Sequence, residues 1–241
     1  MPLLEIAAAS IASALAAQEG GADRIELCAN LHEGGTTPSH GTLVESRRRL
    51  RIPIHVLVRP RGGDFLYDEA EIHAMIGDIE DCARSGADGV VIGALDADGN
   101  VDVALCRRLV AAAGKLDVTF HRAFDAARDP GAALEDIIAL GCARVLTSGA
   151  AASVVLGAEA IAGYVRKANG RIAIMAGGGV NADNVRGLVA RTGVAECHSS
   201  AGAVRRSGMH LRRENLPGLE PDFVQTDVAR VRALVAALRG S

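Results

Sequence analysis

The sequence predicts an α/β chain folded as one (β/α)8 TIM-type barrel over residues 1–241, and three observations carry that expectation. Short aliphatic and β-branched runs alternate with helical stretches eight times, which favours a parallel sheet closed into a barrel over an open doubly wound sheet. The length of 241 residues suits one such barrel and leaves no room for a second domain. Glycine-containing joints at Gly20-Gly21, Gly86, Gly141, Gly170 and Gly193 end most of the helices and return the chain to the sheet.

The first unit is a strand at Leu3–Ala7 and a helix at Ser10–Glu19. Its apolar start has no basic residue ahead of it and contains Glu5, so it reads as a strand and not as a signal peptide. Arg24–Cys28 and Gly41–Leu50 form the second unit, with Arg47-Arg48-Arg49 as the solvated end of its helix. Next come Ile54–Arg59 with Asp68–Ser85, Gly89–Gly93 with Asp102–Ala113, and Val118–Arg122 with Pro130–Leu140. The last three strands are Arg144–Ser148, Ile172–Gly177 and Ala195–Ser199, followed by helices at Val155–Asn169, Asn181–Ala190 and Asp227–Leu238. Only the final connection is irregular: residues 201–226 carry Pro217 and Pro221 and show no period, as in a lid, a binding loop or an oligomer arm.

Composition narrows the function classes. Hydrophobic residues make up 49% of the chain but aromatics only 2%, without Trp, so Ala, Val, Ile and Leu must fill the core. A net charge of −3 offers neither a nucleic-acid groove nor a polybasic membrane patch. No apolar run reaches the length of a membrane span, and a cytoplasmic protein is expected. Five cysteines, odd in number and without CxxC spacing, argue against a disulfide framework and a zinc knuckle.

Strand parity then turns the barrel inside out. Side chains alternate between lumen and helix layer, with the apolar set facing the helices. That places Glu5, Glu26, Cys28, His55, Leu57, Arg59, Thr119, His121, Ser148, Met175, Glu196 and His198 toward the axis, and Cys197 toward a helix. Charged groups are costly in a lumen usually filled by branched apolar residues, so the set marks an ion network or a site. Glu26, His121, Glu196 and His198 are the candidates for acid–base or metal-ligand work. The connection Gly177-Gly178-Gly179 leads a strand into a helix where this fold commonly binds phosphate, with Arg59, Arg61 and Ser148 as candidate partners for a small anion. Lysine occurs only as Lys115 and Lys167, both away from the mouth, which excludes Schiff-base chemistry.

Several of these stretches resemble the CutC family, called copper homeostasis proteins. They are Gly21–Cys28, Glu33–Ser39, Arg59–Phe65, Val118–Asp125, Arg144–Gly149, Ile174–Val180 and Glu196–Ala201, spread over nearly the whole chain. The resemblance implies a TIM-type barrel, a cytoplasmic location, self-association (a dimer being favoured) and Cu(I) bound through cysteine. It brings no established catalytic activity. Ala7 and Ala126-Ala127 stand where members often carry Cys and Met-Cys, which leaves Cys28 as the candidate soft ligand for Cu(I). Two functions follow as expectations: copper handling through Cys28, or an enzyme acting on a small anionic metabolite by Glu/His chemistry.

Overall fold

The computed structural model describes residues 1–213, 216 and 219–240. Eight strands close a barrel in chain order, each parallel to its neighbours, with the eighth beside the first. They are β1 (Leu3–Ala8), β2 (Arg24–Leu27), β3 (Ile54–Leu57), β4 (Gly89–Ile92), β5 (Asp117–Phe120), β6 (Arg144–Thr147), β7 (Ala173–Gly177) and β8 (Glu196–Ser199). The helices between them are α1 (Ile11–Gly20), α2 (His40–Arg49), α3 (Glu69–Arg84), α4 (Val103–Ala113), α5 (Pro130–Ala139), α6 (Ala158–Ala168) and α7 (Val185–Thr192). After β8 the chain forms an antiparallel pair, β9 (Gly202–Arg205) and β10 (Phe223–Thr226), and ends in α8 (Val228–Arg239).

The expected irregular loop at 201–226 is therefore ordered at both ends into a two-stranded ribbon, although Pro217 lies outside the described residues. Val204, Met209, Phe223 and Val224 leave its surface apolar and exposed. Among the described residues, no helix is long and apolar enough to cross a membrane.

Local chemistry explains where elements begin. The side chains of Asp68, Asp102, Asp129 and Asp227 accept backbone N–H groups at the starts of α3, α4, α5 and α8, satisfying donors that a helix leaves open. The structure starts α6 at Ala158, not Val155, and α7 at Val185, not Asn181. Gly157 is the residue before α6, and it packs so closely on Ser148 that a Cβ would lie 1.9 Å from the Ser148 carbonyl oxygen.

Two regions of core flank the barrel wall. Ile25, Leu27, Ile54, Val56, Val90, Ile92, Phe120 and Val145 pack outward against the helices, as parity requires. A small apolar cluster of Cys28, Leu57 and Val91 stands apart from that layer, on the opposite parity and so inside the lumen. Register sets the heights of the polar residues: Glu5 pairs with His198, Glu26 with His55, and Gly177 with His198. Imidazoles fit inside so narrow a barrel because glycines face them. A Cβ at Gly93 would come within 2.5 Å of the His121 ring.

Candidate functional site

The lower half of the lumen is an ion network. Arg24 Nε donates to Glu5 at 2.5 Å and its Nη2 to Glu196 at 2.5 Å. Arg144 reaches Glu196 at 3.2 Å and Asp117 at 3.2 Å, and donates to Thr119 Oγ1 at 3.0 Å. Arg24 and Arg144 escape a reading that stops at the upper strand residues. Each lies two positions before an inward residue of its own strand, Glu26 and Leu146, so the same parity finds them. Glu196 belongs here, at the amino end of β8 beneath the mouth, as a counter-ion of both arginines and not among the cavity-lining residues.

Above the network, a cavity of about 520 Å³ opens at the carboxyl ends of the strands. Glu26, Arg59, His121, Arg122, Gly178 and His198 line it. On one wall His198 Nδ1 is 2.7 Å from Glu5 Oε1, and its Nε2 is 3.9 Å from Glu26 Oε2. Burial raises the Glu5 carboxyl, but the hydrogen bond to His198 and the Arg24 charge outweigh it and hold Glu5 well below the carboxylate range. For Glu26 burial wins, pushing it up to about 7 against the charge of the facing His198 and a smaller pull from Arg24. Burial lowers His198, yet the charge of Glu26 and the hydrogen bond to Glu5 raise it overall. Two carboxyls in one lumen are thus driven apart, one kept ionised and one brought near neutrality, beside a histidine that favours its proton.

The opposite wall holds His121, just beyond β5. Its Nδ1 accepts the Ala123 amide at 3.1 Å, while its ring packs 5.1 Å from that of Phe65. Burial first, and then the Arg59 charge, push this imidazole down to about 3, so it is neutral.

The rim holds the residues expected to meet an anion, and a different arginine stands beside the glycine loop from those expected. Arg61 turns away, held by Glu71 at 2.6 Å and Asp64 at 3.0 Å, and is absent from the cavity wall. Arg59 lines the cavity, but its guanidinium donates to the carbonyls of Glu33, Gly35 and Gly63, tying two loops together over the mouth. Arg122 takes the position beside the glycine loop. Its Nε donates to Asp125 at 2.7 Å and its Nη2 to Ser148 Oγ at 3.0 Å, and among the described residues its Nη1, beside Gly178, has no partner. Ser148 therefore orients Arg122 and stays behind the wall. Asp125 is itself fixed by Thr147 Oγ1 at 2.5 Å and by the amides of Ser148 and Ala150.

Gly178 and Gly179 line the cavity, whereas Gly177 packs against Leu146 and His198. Gly178 has φ +110°, and a Cβ there would meet Ser148 at 3.0 Å, so the bend over Arg122 requires glycine. Among the described residues, the amides of Gly178, Gly179 and Val180 donate to no protein acceptor. Three open N–H groups in succession beside a held guanidinium are donors of the kind that could receive an anion.

The thiols do not gather in the lumen, where the apolar cluster contains Cys28 alone among them. All five cysteines are unpaired and buried. Cys28 stands in the lumen wall with Leu57 and Val91, and burial and then the Glu26 and Glu5 charges raise its thiol strongly. Burial holds Cys82, Cys106, Cys142 and Cys197 at about 12, and Met175 Sδ is engaged by Arg24 at 3.4 Å. Among the described residues, the one group of three His, Cys, Asp or Glu side chains with converging ligand atoms is Glu5, Glu26 and His198, within 4.8 Å of one another. Such oxygen and nitrogen donors suit a divalent ion better than Cu(I).

The chain matches the CutC family over residues 2–203. It is 56% identical over 238 residues to the family protein CutC of Xylella fastidiosa, covering 98% of this chain and 88% of that one. It is 55% identical over 236 residues to the family protein CutC of Xanthomonas campestris, covering 98% of both. A crystal structure of CutC from Streptococcus agalactiae, described as a candidate copper homeostasis protein, superposes with a TM-score of 0.80 at 34% identity, over 83% of this chain and 99% of that one. Phosphoribosyl anthranilate isomerase of Thermotoga maritima shares the fold at a TM-score of 0.59 and 13% identity, with both chains fully covered. With the matched region spanning the barrel and close relatives spanning the whole chain, this protein belongs to the CutC family.

Proposed function

We propose that the mouth of this barrel binds a small phosphorylated or otherwise anionic metabolite and acts on it by general acid–base chemistry. The observation that carries this reading is the seat formed by Arg122 and the amides of Gly178–Val180, on the same cavity as the Glu26–His198 pair. An anion held at the rim directs the rest of a small molecule down toward a carboxyl whose protonation changes near neutral pH, which is where a general base works best.

Inorganic phosphate tests the seat. At a Kd of about 1 mM, roughly 20 mM phosphate stabilises the fold by about 1.8 kcal/mol, and a chain of this size should then melt roughly 4–7 °C higher. Arg122→Met should abolish that rise, and Arg61→Met should leave it intact. A wild-type melting temperature indifferent to phosphate, or a rise that survives Arg122→Met, would remove the basis of the reading.

A second reading brings copper handling to this chain from the description of the Streptococcus relative, with Cys28 as the ligand. Cu(I) prefers two or more soft donors, and the described residues set one thiol in the lumen wall. Binding by a single subunit is therefore expected to be weak and to depend on Cys28. Competition against a Cu(I) chelator, with wild type, Cys28→Ser and Cys197→Ser, measures this. Tight one-to-one binding that survives Cys28→Ser would overturn the assignment of the ligand.

A further inference from the structure

Among the described residues, two buried side-chain polar atoms on the cavity lining have no hydrogen-bond partner, Arg59 Nε and His121 Nε2, and the Arg59 guanidinium is already committed to loop carbonyls through its other nitrogens. His121 is 5% exposed, and its Nε2 has no hydrogen-bond partner among the described residues. The tautomer is fixed by its other nitrogen: Nδ1 accepts the Ala123 amide, so in a neutral ring the proton is on Nε2. A buried N–H with no acceptor is costly, and one on a cavity wall marks a place where a ligand oxygen belongs.

We propose that His121 Nε2–H is the electrophile that polarises the carbonyl of a short phosphorylated α-hydroxy carbonyl compound, with Glu26 as the base that takes the proton from the adjacent carbon. The proposal rests on the reading of the rim as an anion seat and adds the class of substrate and the reaction type. A carbonyl can be activated as a Schiff base, but the mouth has no amine for it: Lys167 donates to the Gly131 carbonyl outside the barrel, and Lys115 lies just before β5. The donor that the cavity wall offers a carbonyl oxygen is the N–H of His121. The carbon–hydrogen bond next to the carbonyl breaks and its proton passes to the Glu26 carboxylate. Its electron pair becomes the new carbon–carbon double bond, and the carbonyl pair moves onto oxygen, where His121 Nε2–H holds the charge. His121 Nε2 then passes its proton to the enolate oxygen and takes up the proton of the adjacent hydroxyl, whose O–H electron pair becomes the new carbonyl. As it forms, the double-bond pair takes the proton back from Glu26 at the former carbonyl carbon, which completes an isomerisation with no oxidant or reductant consumed. Arg59 has a part in this without touching the substrate. Burial first, and then its charge beside His121, disfavour an imidazolium, so the ring stays a neutral donor matched to an enolate oxygen.

The test compares two probes by calorimetry: phosphoglycolohydroxamate, whose planar hydroxamate mimics the enediolate beside a phosphate arm, and inorganic phosphate. Wild type should bind the hydroxamate at least about 100-fold more tightly than phosphate, as expected for a mimic of the reacting state. His121→Phe should lose about 100-fold for the hydroxamate and nothing for phosphate, whereas His121→Gln, which keeps an N–H, should recover most of the difference. Hydroxamate binding no tighter than phosphate in wild type overturns the carbonyl assignment and leaves the anion seat standing, and it does so even if His121→Phe fails to fold. Equal hydroxamate affinity in His121→Phe and wild type also overturns it. If neither probe binds, the anion seat falls and takes this inference with it.

Discussion

Replacing Arg24 by Met is expected to cost about 3–5 kcal/mol of unfolding free energy, the range for breaking a buried ion pair from one side. Arg24 is 4% exposed and joins Glu5, which is fully buried, to Glu196. The methionine would fill much of the same volume while stranding both carboxylates. Glu5 would keep His198, and Glu196 would keep Arg144, but neither would keep its 2.5 Å partner. Urea denaturation measures the loss. The double variant Arg24→Met with Glu5→Gln should recover part of it, because the second change removes a charge that the first left bare. A single variant within about 1 kcal/mol of wild type would mean that this network contributes little beyond what water would supply.

The same network shows how far the sequence reaches. Barrel closure was legible because eight strand–helix repeats with glycine joints leave few other arrangements, and closure makes parity decisive: once Ile25 and Leu27 face the helices, Glu26 can only face the axis. That argument placed Glu5, Glu26, His121 and His198 in one lumen, and the structure brings them there. It could not separate levels within the lumen. Glu196 and His198 share a face of β8, yet the closed barrel puts one in the ion network and the other on the cavity. Order along β8 puts Glu196 below His198, but which residues of the other strands stand at each height is set by inter-strand stagger, and one strand's pattern does not contain that.

Arginines were harder still. Their long side chains leave the backbone direction behind, so position along the chain says little about where a guanidinium ends. Arg59 is drawn to carbonyls, Arg61 to Glu71, and Arg122 is turned to the rim by Asp125 and Ser148, residues 3 and 26 positions away. The pairing of Arg122 with Asp125 at i and i+3 in the short 3-10 turn Arg122–Ala126 was the available signal.

Stability should pass through a maximum near pH 6.5, and Glu26→Gln should change both limbs of that profile. The lower limb comes from His55 and His121. Burial, followed by nearby arginine charges, holds them at about 4 and about 3 in the folded state against 6.5 as the reference value. Between about pH 4.5 and 6.5 the unfolded chain binds those two protons and the folded one does not, so stability falls as pH falls. Glu26 has the opposite sign. Its folded value of about 7 against 4.5 means that the folded state binds an extra proton over the same window, which offsets one of the two. The remaining difference is one proton, and stability rises with pH at the slope of a single proton. Above pH 6.5 both buried histidines are neutral in either state. Glu26 then loses its proton in the folded chain, and His198, raised by Glu26 and Glu5, keeps one that the unfolded chain releases, so stability falls as pH rises. In Glu26→Gln the offset disappears and the lower limb should steepen to two protons. The upper limb should flatten, because the neutral amide also removes the charge that raises His198. Unfolding free energies from urea titrations between pH 5 and 8, below the range where the buried thiols ionise, give both slopes. A variant profile parallel to wild type would show that Glu26 is ionised throughout this range in the folded barrel, and that it is not the group tuned for proton transfer near neutral pH.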